Sequence, residues 1–597
     1  MANALAARSQ RLVSVAMGRM PAEVVIRGGR WVCVQSGEIL DGTDLAILGD
    51  RIAFVGPDAR HTIGEHTQVI EAEGRYLVPG LLDGHMHVES GMLTVTGFAR
   101  AVIPHGTTGM FIDPHEIANV LGLAGVRMMV DEAAVQPIHV WVQVPSCVPS
   151  APGLETPGAV LGPEQIAEAL SWPGVIGLGE VMNYPGVYGG DAKMHAEMAL
   201  TRQAGKVIGG HYASPDLGLP FHGYVAGGPE DDHEGTRVED AIARVRQGMK
   251  AMLRQGSGWL DVASQVAAIT QAGLDPRRFL LVTDDSHCET LVREGHVDRA
   301  VRVAIEHGVE PIVAIQMATL NTAEHFGVSS EVGLLAPGRS ADVLLVRDLR
   351  QLRPDVVIAR GERLAEGGQM LVPPPTFSYP DAMRRSVHLA RPLTPGDFVL
   401  HAPDGRAVRA HVIGVVENQA PTRHLELTLQ PKDGRVLPDR QQDLALAAVI
   451  DRHHGSGRMQ LGLVHGLGLE PRSAFASTVA HDSHQLIVVG TEAEDMARAA
   501  NVLSACGGGQ VVVRRGEVIG QVHLPIAGLI SDAPAAAVAA EARTVLDALR
   551  ACGCTLNNAN MQISLLGLVV IPELRLSDLG LVDVERFAFL PALEPLG

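Results

Sequence analysis

The segment Gly80-Leu81-Leu82-Asp83-Gly84-His85-Met86-His87-Val88-Glu89 is an apolar run that ends in two histidines one residue apart. On a strand, alternate side chains share a face, so His85 and His87 point together and Met86 points away, toward covering helices. Two imidazoles on one face of a strand end can share a cation. The run is therefore expected to be a strand whose C-terminal end opens onto a site. Further short apolar runs follow: HVWVQVP, GVIGLGEV, KVIGGHY and RFLLVTDD. Helical patterns such as PEQIAEALS and VEDAIARVRQGMKAML lie between them. Strand and helix in alternation predict an α/β fold, a (β/α)8 TIM-like barrel over residues 79–333.

The flanks read differently. From Ala22 to Val78, EVVIRGGRWVCV and DLAILGDRIAFVG alternate as strands with Gly-rich turns. The pattern returns in GLLAPGRSADVLLVRDL. Residues 1–78, with a short amphipathic N-terminal helix, and 334–371 are thus expected to build one small composite β-sandwich domain. The Pro-rich LVPPPTFSYP, Val372 to Pro380, marks a boundary. Residues 372–597 mix strands (HVIGVVEN, HLELTLQP, QLIVVG, QVVVRRGEVIG) with helices (DMARAANVLSAC, AAAVAAEARTVLDALRAC) and read as a C-terminal α+β domain.

Composition narrows the function. A net charge of −19 argues against a nucleic-acid partner, and 4% aromatic residues argue against stacking platforms. The six cysteines form no CxxC pair, which suits a reduced, cytoplasmic setting. The N-terminal stretch lacks a continuous apolar core, and no apolar run reaches the roughly 18 residues of a membrane span.

Other strand ends carry ligand types. Glu180 follows GVIGLG, His211 follows KVIGG, His233 sits in EDDHEGT, and Asp284 follows FLLVT. With 25 histidines in the chain, any one of them fits a surface or core position as readily. Glu180 fits a buried ion pair and Asp284 a helix N-cap. Neither reading explains why these residue types recur at separate strand ends. Nitrogen and oxygen donors without sulfur suit Zn²⁺, Mn²⁺ or Fe²⁺. Six such groups exceed the needs of one catalytic metal and point to two divalent ions sharing a carboxylate. Glu89 extends the His85 and His87 face if the strand continues, with Ser90 beside it; a solvated loop fits Glu89 equally. In FIDPHE, Asp113, His115 and Glu116 sit at another strand end, or cap a helix that begins near Glu116.

This order of ligands resembles the amidohydrolase superfamily of metal-dependent hydrolases. HMHVES, PHGTTGMFIDPHEIANVLG, VPSCVPS, GLGEVMNYPGV, DDHE, LVTDDSH and MATLNTAEHFG closely resemble the bacterial adenine deaminases within it. HHGSGRMQLGLVHGLGL, STVAHDSHQLIVVGT and LPIAGLISD resemble that family's C-terminal domain. The resemblance implies hydrolytic deamination of adenine to hypoxanthine and ammonia, by a metal-activated hydroxide attacking C6. It implies two divalent ions per chain, Mn²⁺ first and Fe²⁺ or Zn²⁺ next. His85, His87 and Asp284 would hold one ion and His211 and His233 the other. Glu180 would bridge them where most binuclear members use a carboxylated lysine. Asp284 and Glu180 would be catalytic, Asp284 carrying the proton. Glu89, Ser90, His115 and Glu116 would bind the purine. Relatives that act on anionic cyclic amides often carry arginine at the Glu89 position, whereas an acidic group suits a substrate with N–H donors. A homodimer serving purine salvage or adenine catabolism is expected, without nucleic-acid or membrane partners. Two departures bear on substrate choice: Gly91 replaces a second serine, and the stretch between His211 and His233 is altered. Deamination of another amino-purine, cyclic amide hydrolysis, and a non-catalytic barrel serving as a binding subunit remain alternatives. His453, His454, His481 and His484 receive no ligand role.

Overall fold

The computed structural model describes residues 2–596 apart from Pro374 and Asn418. Pro374, within the Pro-rich break, and the terminal Met1 and Gly597 of the expected domains lie outside the described residues. Eight strands, parallel within their sheets, lead to the site; all but the two-residue Asp231–Asp232 come from largely apolar runs. They are β1 (Leu81–His87), β2 (Thr107–Ile112), β3 (His139–Val144), β4 (Val175–Val181), β5 (Val207–Gly210), β6 (Asp231–Asp232), β7 (Lys250–Arg254) and β8 (Phe279–Val282). After Thr283 the chain adds a two-residue strand, Asp284–Asp285, parallel to the end of β1. The order β5-β4-β3-β2-β1-(Asp284–Asp285) makes one parallel sheet, and β6-β7-β8 makes a second. The sheets meet where Glu230 N donates to Ile208 O at 2.9 Å and Gly210 N donates to Asp231 Oδ1 at 2.9 Å.

Every residue of β1 and β2 is buried, as their near-continuous apolar sequence requires. Met86 belongs to the large buried cluster that also holds Val95, Phe98 and Val102 of the following helix, Val95–Val102. Leu82 instead joins Phe111, Met252, Leu280 and Val282 in a separate cluster. Strict alternation would put Leu82 and Met86 on one face. A register irregularity between Asp83 and Met86 resets the parity, which turns His85 and His87 to the Leu82 side.

One expected helix is shorter than its pattern. In VEDAIARVRQGMKAML only Val238–Arg246 is helical. Gly248, at φ +92°, ends the turn, and Lys250–Arg254 becomes β7. This places Arg254 at a strand end.

The flanking strands, after a helix at Ala2–Ala16, are hydrogen-bonded into one continuous nine-stranded sheet, and its two halves share a core of Ile26, Leu45, Ile47, Val343, Leu345 and Ile358. The strand Val24–Cys33 makes this possible by bending at Gly29. Its first half pairs with Gln68–Glu71 and its second with Tyr76–Pro79. Gly29 lies so close to Leu77 that a Cβ would stand 2.5 Å from its side chain. Val343–Val346 pairs with Tyr76–Pro79, so a strand from beyond the barrel segment completes the sheet.

A second nine-stranded sheet spans residues 408–595, flanked by helices Ala493–Cys506 and Ala535–Ala551. It docks over the strand ends. Ser531 N donates to Met92 O at 2.9 Å, and Gln485 Nε2 donates to Thr156 O at 2.6 Å. No described helix is long and apolar enough to cross a membrane, and all six cysteines are free.

Candidate metal centre and substrate cavity

His85 and His87 come from the end of β1, Glu180 from β4, His211 from the residue after β5, His233 from the residue after β6, and Asp284 from just beyond β8. The structure brings all six together. Glu180 sits at the centre. Its Oε1 is 3.5 Å from His87 Nε2, and its Oε2 is 2.5 Å from His211 Nδ1 and 3.2 Å from His233 Nε2. Asp284 Oδ1 lies 3.7 Å from His85 Nε2 and 3.4 Å from His87 Nε2. The His85 and His233 rings stack, with centroids 4.0 Å apart.

This cluster fits divalent metal ions. His85 Nε2 is buried and has no hydrogen-bond partner, and its nearest carboxylate oxygens, at 3.7 and 4.0 Å, are too distant for one. Three overlapping triads have donor atoms within 4.8 Å of one another: His85, His87 and Glu180; His85, His233 and Asp284; Glu180, His211 and His233. Neutral imidazoles and ionised carboxylates are the forms that ligate. Burial alone would raise the Asp284 carboxyl, but His87, His233 and Arg254 hold it well below the usual carboxylate range.

A layer of supporting residues fixes these groups. His87 Nδ1 pairs with Asp113 O at 2.8 Å, which orients the ring and leaves Nε2 to face the cluster. Asp113 Oδ2 accepts from Glu180 N at 2.9 Å. Gly179 makes that approach possible, since a Cβ there would stand 2.2 Å from Asp113 Oδ2. Tyr224 Oη accepts from His211 N at 2.7 Å and donates to Val181 O at 3.0 Å, tying two ligand-bearing strands together. Arg254 donates to Asp284 Oδ2 at 3.1 Å and to Asp261 Oδ2 at 2.9 Å, and it also pairs with Glu234. Sequence reasoning missed Arg254 because its strand reads as the end of a helix. Asp284 itself has φ +58°, a left-handed conformation that aspartate tolerates better than most residues.

Beside the cluster lies a cavity between the barrel and the C-terminal sheet domain. The strand of β1 stops at His87, and Glu89–Gly91 forms a 3₁₀ turn, so Glu89 reaches the cavity from the turn and not along the strand face. Glu89, Ser90 and Glu116 line the cavity. Burial, then the charge of Glu116, pushes the Glu89 carboxyl up to about 8. Ser90 donates to Asp285. His115 is not among the lining residues. Its helix, His115–Ala134, begins one residue before Glu116, and its Nε2 lies 3.7 Å from Asp482 Oδ2 of the C-terminal sheet domain. The altered stretch, residues 212–232, contributes nothing to the cavity lining. Gly91 is matched to its neighbours: a Cβ there would meet the Phe98 ring at 3.0 Å.

The other half of the cavity comes from residues far along the chain, including Val479, His481, Gln510, Leu529, Asn560 and Met561. His481 Nδ1 is 4.0 Å from Glu116 Oε1. His453 Nε2 pairs with Ser483 O and His454 Nε2 with Pro157 O, and His484 is fully buried. His481 alone of the four C-terminal histidines lines the cavity.

The Amidohydrolase family model matches residues 76–364, and the Adenine deaminase C-terminal domain model matches residues 419–588. The chain is 60% identical over 577 residues to adenine deaminase of Mesorhizobium japonicum, covering 96% of this chain and 95% of that protein. It is 59% identical to adenine deaminase 3 of Rhizobium meliloti, covering 97% of each. Adenine deaminase of Moorella thermoacetica is 50% identical, covering 98% of each.

Proposed function

Because this chain belongs to the adenine deaminase family of amidohydrolases, we propose that its buried cluster holds two divalent metal ions and that the adjoining cavity holds adenine. The reaction is hydrolytic deamination: adenine and water give hypoxanthine and ammonia. The observation that carries the two-ion reading is Glu180, whose two oxygens face different histidines, Oε1 toward His87 and Oε2 toward His211 and His233. In this reading His85, His87 and Asp284 would hold one ion, His211 and His233 the other, and Glu180 would be shared between them. Mn²⁺ is the first choice for a site of nitrogen and oxygen donors, with Fe²⁺ or Zn²⁺ next. Divalent ions held by these residues would lower the pKa of water from 15.7 toward about 7 and so would supply hydroxide at neutral pH.

The chain's own residues do the rest. Asp284 takes the proton from the attacking water and passes it to a ring nitrogen or to the leaving amine. Arg254 fixes Asp284 through Oδ2, which keeps Oδ1 toward the histidines. Glu89, Ser90 and Glu116 orient the base so that C6 faces the cluster. His115 holds the C-terminal half in place through Asp482 and does not touch the base. The two parallel sheets are read as one closed (β/α)8 barrel over residues 79–333, with the small β domain in two pieces, 1–78 and 334–371, and the C-terminal domain over 372–597. A cytoplasmic homodimer completes the proposal.

The test is ammonia release from adenine by protein reloaded with Mn²⁺, Fe²⁺ or Zn²⁺, against metal-stripped protein. Metal-dependent turnover with kcat/KM of about 10⁴ M⁻¹s⁻¹ or more is expected. Turnover that ignores metal removal would overturn the metal reading.

A further inference from the structure

The cavity is built by two halves with unlike chemistry. From the barrel come carboxylates, Glu89 and Glu116, together with Ser90. From the C-terminal half come the side-chain amides of Gln510 and Asn560, whose residues are 2% and 6% exposed. Asn560 Nδ2 stands 3.5 Å from Gln510 Oε1, the outer limit of a hydrogen bond. Asn560 Oδ1 is buried and has no partner in the protein. A buried carbonyl oxygen left unpaired is costly, so its persistence in a cavity wall points to a donor supplied by a ligand.

We propose that Gln510 and Asn560 read the edge of the base that carries N3 and N9, remote from the reacting carbon. This rests on the reading above, that adenine occupies the cavity. C6 must face Asp284 and the histidines, which all belong to the barrel, so the N3–N9 edge faces the C-terminal half. That edge offers one acceptor, N3, and one donor, N9–H. A pair of amides offers both complements: Asn560 Oδ1 accepts from N9–H, and an amide N–H of Gln510 or Asn560 donates to N3. Ionised carboxylates could not satisfy N3. Met92, Leu529 and Met561 line the same space and suit the apolar faces of a flat ring. Specificity for the free base is thereby assigned to the C-terminal half, and chemistry to the barrel. A substituent on N9 removes the donor and leaves Asn560 Oδ1 unpaired again.

The experiment compares adenine with 9-methyladenine in the metal-loaded full-length protein, for the unaltered chain, Asn560→Ala, Asn560→Asp and Gln510→Leu. Each variant is expected to raise the adenine KM about 10- to 100-fold with kcat within about threefold, because binding common to ground and transition states is lost. In Asn560→Ala, the variant that removes the N9–H acceptor, the preference for adenine over 9-methyladenine should shrink at least about tenfold, whereas Asn560→Asp and Gln510→Leu keep an acceptor for N9–H and should keep the preference. Calorimetry with hypoxanthine, which is not turned over, should show the same weakening. A purely structural role would lower the thermal midpoint or reduce kcat for both substrates alike, and that pattern overturns the proposal. So would an adenine KM within about twofold in all three variants. If the unaltered protein releases no ammonia from adenine, the reading of the cavity fails and this proposal falls with it. If it does and the variants behave like it, only this proposal falls.

Discussion

Two clusters in the molecule offer the same kinds of donor. One is the barrel group around Glu180. The other is His411, His424 and Glu426 on the C-terminal sheet, whose donor atoms also lie within 4.8 Å of one another. His411 faces Glu426 across antiparallel strands, and its Nδ1 is 2.7 Å from His424 Nε2. The surroundings differ. Around Glu180 the donors converge from five strand ends, all but His211 nearly inaccessible, and His85 Nε2 meets no protein partner. On the C-terminal sheet the Glu426 side chain is 53% exposed and lies 3.9 Å from Arg409, which also holds Glu594 at 2.6 Å. His411 Nε2 lacks a hydrogen bond too, but Glu594 Oε1 is only 3.7 Å away. The comparison teaches that donor type and spacing do not make a metal centre. What separates the two is whether the protein has already supplied the cations that its carboxylates need.

The largest effect should come from the centre of the barrel cluster. Glu180→Gln keeps the shape but removes the charge between the two sets of histidines. Elemental analysis should show loss of metal, and kcat/KM for adenine should fall at least about 10³-fold, some 4 kcal/mol of transition-state stabilisation. Retained metal with full activity would erase the distinction drawn between the clusters.

Arg254 ranks next. Among the described residues it is the one arginine paired with a carboxylate of the barrel cluster, and it touches Asp284 through Oδ2, whereas Oδ1 faces the histidines. Arg254→Met should lower metal affinity or kcat/KM by about 10- to 100-fold, as loss of a residue that orients a ligand does. It also strands the carboxylates of Glu234 and Asp261, and uncompensated buried charge of this kind costs about 3–5 kcal/mol. Denaturant unfolding of the metal-loaded protein measures that cost.

What could be read from sequence divides along the same line. Five of the six cluster residues were legible because they end or follow an apolar run, and strand ends are local features; His233, in EDDHEGT, was legible only as a histidine beside acidic residues after a Gly-rich stretch. Arg254 was not, because MKAML carries apolar residues at a spacing that fits a helix as well as a strand, and only the turn at Gly248 decides between them. The parity reset in β1 was equally hidden, since alternation alone puts Leu82 on the Met86 face. His481, Gln510 and Asn560 reach the cavity through docking of a domain roughly four hundred residues downstream of His85. No local pattern marks that contact. The family motif around His481 was visible, but its place at the site was not, and no motif marked Gln510 or Asn560.

The docking contact itself gives a pH test. Burial opposes a charge on His115, but the Asp482 carboxylate overcomes it and raises the imidazole from 6.5 to about 10. A group whose folded pKa is raised stabilises fully below its unfolded value. The gain is therefore whole below about pH 6.5 and is lost as pH climbs toward about 10. Thermal unfolding at pH 6 and pH 9.5, with buffers chosen to keep metal bound, should show a drop in the unaltered protein. Asp482→Asn should be less stable at the lower pH and show a smaller drop between the two. An equal drop in both proteins would mean that the pair does not carry the pH dependence.

The smallest expected effect is the sharpest on the comparison. His411→Ala removes the buried member of the C-terminal cluster, and it leaves Arg409 on Glu594 and Glu426. If those carboxylates are already neutralised by Arg409, the cluster has no net call for a metal ion. Metal content per chain should then be unchanged and kcat/KM for adenine should stay within about twofold, well under the tenfold that 1.4 kcal/mol would produce. Loss of one metal equivalent would break the comparison in the opposite sense from Glu180→Gln. It would show that an exposed carboxylate shared with an arginine still binds a divalent ion when two imidazoles stand beside it, and that an unpartnered buried nitrogen, common to His85 and His411, is the feature that matters.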